Sequence, residues 1–139
     1  MPTSIAEYYI NELNDWEDAI SLHIEEIDQL EEWLKEVLRN NTVVNLAGKV
    51  EHYLNNLFLT KQNLSILKAK IRDGEDKLYK GEIPIGNDQI TEEIKSQQNE
   101  FRKNLYGLER QYLDIKFECE DFLATTVTKQ NKKQNNNQL

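Results

Sequence analysis

The chain of 139 residues has little of what several protein classes require. Its single cysteine, Cys119, cannot form an internal disulfide, which excludes the small disulfide-stapled folds. Five glycines and two prolines are too few for a turn-rich all-β domain or a collagen-like repeat. No apolar run approaches the roughly 18 residues that a membrane span needs. These absences favour a helical protein outside the membrane.

Basic side chains are also scarce relative to acidic ones. The chain has 17 Lys and Arg against 25 Asp and Glu, which gives a formal net charge of -8. This balance disfavours anionic lipid and nucleic acid as partners. The chain starts with MPTSIAEYYINEL, which lacks the basic and apolar regions of a signal peptide. We therefore predict a cytoplasmic protein with no membrane partner, no nucleic-acid partner and no cofactor.

Apolar residues return every seven positions along three segments of similar length, a spacing typical of helices that bury one stripe. In the first segment the row consists of Ala6, Leu13, Ile20, Ile27 and Leu34. In the second segment it consists of Val43, Val50, Leu57, Leu64, Ile71 and Leu78. In the third segment it consists of Ile94, Phe101, Leu108, Ile115 and Phe122, with a second row formed by Leu105, Tyr112 and Cys119. These rows predict three amphipathic helices.

The ends of these helices carry recognisable signals. Ser4 with Glu7 three residues later is a capping-box pattern, and Asn87 or Asp88 can cap the third helix. Pro84 lies in the only clear loop, while Gly74 leaves open a kink or an early end of helix 2. The predicted helices are 4–40, 42–80 and 88–127.

Helices of about 55–60 Å joined by short links fold back on one another. The predicted fold is all-α, an antiparallel up-down-up bundle of three long, coiled-coil-like helices over residues 1–128. Ile83 and Ile85 are expected to close the loop end of the core. Residues 129–139, KQNKKQNNNQL, lack apolar periodicity and are predicted to form a flexible polar tail.

Charge is distributed unevenly among the three segments. Residues 1–41 carry 11 acidic and 2 basic side chains, whereas residues 42–81 carry 4 acidic and 7 basic ones. A basic helix 2 beside an acidic helix 1 favours this chain order by Coulomb attraction. The acidic residues of helix 1 also allow a second interpretation, a surface for a basic partner, formed by Glu25, Glu26, Asp28, Glu31, Glu32 and Glu36.

Motifs for catalysis or metal binding are missing from the sequence. The residues three before the two histidines, His23 and His52, are Ile20 and Lys49, so neither histidine belongs to a Glu-x-x-His pair. No glycine-rich phosphate loop or nucleophile motif occurs. We predict no catalytic residue, no metal ligand and no enzymatic activity.

His23 falls on the second core-facing row of the first segment, with Tyr9, Trp16, Leu30 and Val37. A buried imidazole there needs a hydrogen-bond partner. Folding the chain back at the two links places Thr60 and Tyr112 beside it, and either could supply that partner. The alternative is a pH-sensitive switch in the middle of the bundle. Cys119 is expected to act as a small buried hydrophobe.

Two glycines, Gly48 and Gly107, lie inside predicted helices, where each costs up to about 1 kcal/mol relative to alanine. Close approach of a neighbouring helix is the ordinary reason for such a glycine. A ligand that rests on the bare backbone is the alternative.

Seven apolar residues fall outside the core rows, and the folded-back register places them near one level at the waist of the bundle. A contiguous group of exposed apolar side chains marks a contact surface. We predict self-association, as a homodimer, through these interaction candidates. Some of them would instead belong to a broader core if the heptad frame drifts. The seven are Leu22, Phe58, Leu59, Ile66, Tyr106, Leu113 and Phe117.

The sequence therefore predicts a non-catalytic helical bundle that acts through protein–protein interaction, as an adaptor, scaffold or small regulator. The alternative is a ligand- or metal-binding bundle with activity, in which His23 or the end with Tyr8, Tyr9 and Tyr79 takes part. Nucleic-acid binding ranks third, because it rests only on the basic tail and helix 2.

Overall fold

The computed structural model describes residues 4–40 and 44–137, with side chains for 4–40 and 46–126. Three helices, α1 (Ile5–Asn40), α2 (Val44–Asp76) and α3 (Glu92–Asn137), form the molecule. Between α2 and α3 lie two short strands, β1 (Tyr79–Lys80) and β2 (Ile83–Pro84), and a 3₁₀ turn (Asn87–Gln89). The predicted all-α three-helix bundle is confirmed.

Ion pairs between α1 and α2 show the relative direction of these two helices. Lys61 contacts Asp28, whereas Arg72, further along α2, contacts Glu17, nearer the start of α1. The two helices are therefore antiparallel.

Contacts between α1 and α3 follow the opposite order. Glu12 contacts Arg102, and His23, later in α1, contacts Glu109, later in α3. Residue numbers rise together along this pair, so α3 runs parallel to α1 and antiparallel to α2. This is the predicted up-down-up order.

The buried residues are largely those of the predicted seven-residue rows, and burying them is what makes the bundle stable. Cys119 is among them and is fully buried, which raises the pKa of its thiol to about 11. That thiol is therefore protonated at neutral pH and packs as a small hydrophobe. The side chains with less than 2 % of their surface exposed are Leu13, Ile20, Ile27, Leu34, Val50, Leu57, Leu64, Ile71, Leu78, Leu105, Tyr112 and Cys119.

The predicted cap of helix 1 is present. The Ser4 hydroxyl oxygen accepts a hydrogen bond from the backbone N–H of Glu7 at 3.2 Å. Asn87, from the segment before α3, accepts the N–H of Ile5 through Oδ1 at 3.0 Å. The first turn of α1 is therefore tied both to its own cap and to the loop end of the bundle.

The predicted end of helix 2 at residue 80 is wrong. The helix stops at Asp76, because the next N–H groups donate to carbonyls three residues back, Lys77 to Gly74 and Leu78 to Glu75. This tight turn still buries Leu78, which is 1 % exposed. The segment predicted as a loop then forms a two-stranded antiparallel hairpin, in which Gly81 has φ of 66°.

Helix 3 begins later than predicted. Asn87 and Asp88 lie in the 3₁₀ turn, and the cap is Thr91, whose Oγ1 accepts the N–H of Ile94 at 3.2 Å. The first helical residue is Glu92. The sequence signal was misread because several residues before the helix are good capping residues.

The prediction that Ile83 and Ile85 close the loop end of the core is correct for Ile85 and wrong for Ile83. Ile83 is 72 % exposed, because it lies in the hairpin and points away from the helices. Ile85 packs against the core, and Ile90, 8 % exposed, completes that end.

At its other end α3 continues to Asn137, past the predicted limit of 127. The side chains of 127–137, and residues 138–139 entirely, lie outside those that the structure describes. The flexible tail at 129–139 therefore stays a prediction. Within the described residues, no helix combines the length and the apolar character that a membrane span requires.

Candidate functional site

All seven predicted interaction candidates lie on the helices with exposed side chains. The exposed fraction ranges from 42 % for Leu113 to 64 % for Phe117. The broad core that we considered as the alternative therefore does not include them. Their role in self-association stays a prediction.

Three of the candidates form one stripe on α3. Tyr106 comes one turn after Arg102, and Leu113 one turn after Glu109, and both of these polar residues contact α1. Phe117 follows Leu113 by four positions and extends the stripe. These three side chains therefore line the flank of α3 that borders α1.

Leu22 lies on the facing flank of α1. It precedes Glu26 by one turn, and Glu26 contacts Lys116 of α3. Leu22 and the α3 stripe thus border the same groove from its two sides.

The candidates on α2 lie on other flanks of the bundle. Leu59 and Ile66 are seven residues apart, and Ile66 borders a groove shared with α3. Phe58 is three residues before Lys61, which contacts α1, so Phe58 lies toward the α1 side. The seven residues therefore surround the bundle, rather than forming one continuous patch.

The predicted alignment of helix 2 along helix 1, which placed Thr60 beside His23, is also wrong. Thr60 lies next to Lys61, which contacts Asp28 and Glu31, so Thr60 is level with that turn of α1 and not with His23. The hydroxyl of Thr60 donates to the backbone oxygen of Asn56 at 2.9 Å. Thr60 is therefore not the partner of His23.

His23 has a partner that the sequence analysis missed. Its Nε2 lies 2.8 Å from Oε2 of Glu109, so the ring N–H donates to this carboxylate. The Tyr112 ring packs on the imidazole at 4.7 Å between centroids, as expected from the level of the two residues. Nδ1 of His23 is buried and has no hydrogen-bond partner in the described part of the chain. Glu109 could have been found, since it lies one helical turn before Tyr112, which was predicted beside His23.

A second polar contact links α1 and α3 one turn further along. Oε2 of Glu26 accepts hydrogen bonds from the Tyr112 hydroxyl at 2.6 Å and from Nζ of Lys116 at 2.7 Å. The hydrogen bond from Lys116, and then that from Tyr112, lower the pKa of Glu26 below its ordinary value. Burial, followed by the bond to Glu26, raises the pKa of Tyr112. The carboxylate is therefore held in its charged form by groups of α3.

This contact makes part of the stability dependent on pH. A carboxyl group whose pKa is lowered by folding contributes stability above its unfolded pKa, and the contribution is lost as pH falls through the folded pKa. Glu26→Gln should therefore lose less stability than the wild type on acidification from pH 6 to pH 3, as measured by urea unfolding at each pH. Glu25→Gln, at the adjacent exposed position, is the control. Equal losses in the wild type and Glu26→Gln would contradict this interpretation.

A third polar contact between α1 and α3 explains why Gln98 occupies a core position. Nη2 of Arg102 donates to both carboxylate oxygens of Glu12, at 2.9 and 2.8 Å, and the guanidinium lies 5.5 Å from the centre of the Trp16 ring. Gln98, only 3 % exposed, donates to the backbone oxygen of Tyr9 and to Glu12. The buried polar side chain of Gln98 is therefore satisfied by hydrogen bonds to α1.

Lysines and arginine of α2 pair with α1 as the charge pattern predicts. Lys61 donates to Asp28 at 2.9 Å and to Glu31 at 2.6 Å, and Lys68 donates to the hydroxyl of Ser21. Together with Glu26, the two acidic residues are half of the predicted acidic surface, and all three pair with basic residues of α2 or α3. A basic partner would therefore meet a reduced set of carboxylates on α1.

Two grooves run between α2 and α3. The central groove, about 340 Å³, is lined by Ile66, Leu67 and Lys70 of α2 and by Lys103, Gly107 and Leu108 of α3, among others. The end groove, about 410 Å³, is lined by Lys49, His52 and Tyr53 of α2 and by Glu118, Asp121 and Phe122 of α3, among others. Each groove thus brings an apolar floor together with charged walls.

The three glycines within the helices differ in the space around their Cα atoms. A Cβ at Gly48 or Gly107 would meet no atom within 4 Å, so close approach of a neighbouring helix within the chain does not explain either glycine. A Cβ at Gly74 would lie 2.7 Å from a ring carbon of Phe101. Of the three helical glycines, therefore, only Gly74 is needed for packing within the described residues.

Within 4–40 and 44–137, no three His, Cys, Asp or Glu side chains converge as a metal site would require. At the loop end, Tyr9 and Tyr79 pack against the core, and Tyr8 is 52 % exposed. The amphipathic tyrosines thus finish the core at that end.

No protein-family model, curated protein or solved structure matches this chain.

Proposed function

We propose that this chain is a non-catalytic, cytoplasmic helical-bundle protein that acts through protein–protein interaction, as an adaptor, scaffold or small regulator. The observation that carries the proposal is the exposure of seven large apolar side chains on helices whose core is otherwise well buried. Scattered single apolar residues are normal on a protein surface, whereas stripes such as Tyr106, Leu113 and Phe117 favour a contact with another macromolecule.

The polar groups that could serve chemistry support the same proposal. His23, Glu26 and Tyr112 are used in contacts that join α1 to α3. Burial raises the pKa of Cys119 to about 11, so this thiol lacks the thiolate form that a nucleophile needs. The residues with reactive side chains thus have structural roles that account for them.

Capture of complexes from the native cell tests the proposal. A surface variant, Leu59→Lys with Tyr106→Lys and Phe117→Lys, is compared with the wild type after crosslinking. A control variant, Asn11→Lys with Asn14→Lys and Ser96→Lys, adds the same charge at exposed polar positions. Circular dichroism verifies that both variants keep their helices.

We expect specific proteins to be retained by the wild type and the control and lost from the surface variant. Retention of the same proteins by all three chains would overturn the proposal. So would native mass spectrometry that finds a metal ion or small molecule bound to the purified wild type in stoichiometric amount, because this outcome favours a ligand-binding bundle with activity.

A further inference from the structure

Gly107 lies exposed in the middle of α3, and no contact within the described structure requires a glycine there. A glycine at such a position costs up to about 1 kcal/mol relative to alanine. A Cβ there would point into open space, with no atom of the described structure within 4 Å. The residue lies in the wall of the central groove, and across that groove Ile66 is 55 % exposed. Bare backbone beside an exposed isoleucine is what a closely packed partner helix requires.

The register of α2 and α3 places complementary groups at the same level. The rings of Tyr53 and Phe122 pack 5.1 Å apart, and counting along both helices from this pair puts Ile66 level with Glu109. Ile66 is thus within two residues of the level of Gly107, about 3 Å of helix rise.

We propose that a second copy of this chain covers the α2–α3 face, in an isologous homodimer whose two-fold axis runs parallel to the helices. This arrangement, which rests on the proposed function, places α2 of each copy opposite α3 of the other at the same level. Ile66 of each copy then packs on the bare backbone of Gly107 in the other copy. By symmetry this contact occurs twice.

Charges at one end of the same face agree with this pairing. Gly74 lies against Phe101, so Asp73 is level with Arg102 and one residue from Lys103. In the dimer, Asp73 of one copy faces Lys103 of the other. Two opposite-charge contacts follow from the symmetry.

The distribution of net charge explains why a second copy fits this face best. Two chains of formal charge -8 repel each other, and most of the excess is on residues 1–41. An α2–α3 contact keeps α1 of each copy away from α1 of the other. The contact therefore separates the most strongly like-charged segments of the two copies.

The face is large enough for a stable dimer. A helix of 33 residues, the length of α2, extends about 50 Å, and two packed helices are about 20 Å wide. The product, about 1,000 Å², exceeds the roughly 800 Å² per partner of a standard interface.

The sharpest test uses Gly107→Ala, because folding and dimerisation respond in opposite directions. The dilute, monomeric variant should be at least as resistant to urea as the wild type, since alanine is the better helix former. Its dimer dissociation constant in sedimentation equilibrium should rise at least tenfold, because the methyl group separates Ile66 from the backbone. Asn11→Ala, on the exposed side of α1, is the control and should leave the dimer constant unchanged. An unchanged constant in Gly107→Ala, or a wild type that is monomeric at its highest soluble concentration, would overturn the dimer.

Charge reversal tests the symmetry. Asp73→Lys and Lys103→Asp should each weaken the dimer, and the double variant should restore much of the loss because the contact re-forms with its signs exchanged. A double variant weaker than either single variant would exclude this pairing. A monomeric wild type that still retains cellular proteins lost from the surface variant would overturn only the dimer. A monomer that retains none would overturn the proposed function as well.

Discussion

Tyr112→Ala is expected to lower the free energy of unfolding by about 3–5 kcal/mol, the range for truncating a large aromatic side chain in a core. Tyr112 is 1 % exposed and lies where α1 and α3 meet. Its ring packs on the His23 ring, and its hydroxyl donates to Glu26 at 2.6 Å. Removing the side chain leaves a cavity and also deprives the carboxylate of one of its two donors. Urea unfolding of dilute protein, followed by circular dichroism, measures the effect.

Two further variants separate the contributions to this loss. Tyr112→Phe removes only the hydroxyl, and should cost about 1.5–3 kcal/mol because the lost hydrogen bond is to a charged group. Tyr106→Ala truncates a tyrosine on the same helix that is 63 % exposed, and should change stability by less than about 0.5 kcal/mol. Equal losses in Tyr112→Ala and Tyr106→Ala would show that the aromatic core of the bundle lies elsewhere.

The distinction between these two tyrosines could be predicted from the sequence. Tyr112 falls on the seven-residue row with Leu105 and Cys119, whereas Tyr106 does not, and the structure buries the first and exposes the second. Heptad spacing identifies which side of a helix is buried, because only on that side do apolar residues repeat in phase with the helix. Burial and exposure followed this rule over most of the three helices.

The register of helix 2 against helix 1 could not be predicted in the same way. A row that repeats every seven residues packs equally well after a shift of one heptad, so the apolar pattern leaves the register open. The choice is made by individual polar pairs, such as Lys61 with Asp28 and Glu31. Thr60 was therefore placed beside His23, although the structure puts it about one heptad away.

The partner of His23 was missed for a related reason. The seven-residue rows identify only core positions as neighbours of His23. Glu109 lies at the edge of a row of helix 3, beside Leu108. A carboxylate at such an edge position can reach inward while its stem covers the core. Polar contacts between helices depend on side-chain length and rotamer, which the heptad pattern does not contain.

The role of the glycines also needed coordinates. The sequence shows that Gly48, Gly74 and Gly107 lie in helical patterns, but it does not show what surrounds each Cα. Only the structure separates Gly74, which lies against Phe101, from the two that border open space. The central groove, and with it the proposed dimer contact, could therefore not be derived from periodicity.

Gly74→Ala is expected to destabilise the bundle by about 1–3 kcal/mol, the usual cost of overpacking a well-packed site. The added Cβ would lie 2.7 Å from Cε2 and 3.1 Å from Cζ of Phe101, and this ring is only 5 % exposed. Backbone strain makes no contribution, because within 4–40 and 44–137 positive φ occurs only at Gly81. The steric cost therefore exceeds the gain of up to about 1 kcal/mol that alanine brings in a helix.

Gly48→Ala is the matched control, since it makes the same chemical change in α2 where the Cβ meets nothing within 4 Å. It should raise the free energy of unfolding, by up to about 1 kcal/mol, so the two substitutions are expected to differ in sign. Phe101→Leu in the Gly74→Ala background should recover part of the loss, because a smaller side chain makes room for the methyl group. If urea unfolding showed both glycine substitutions to be stabilising, the close contact between α2 and α3 at Phe101 would be refuted.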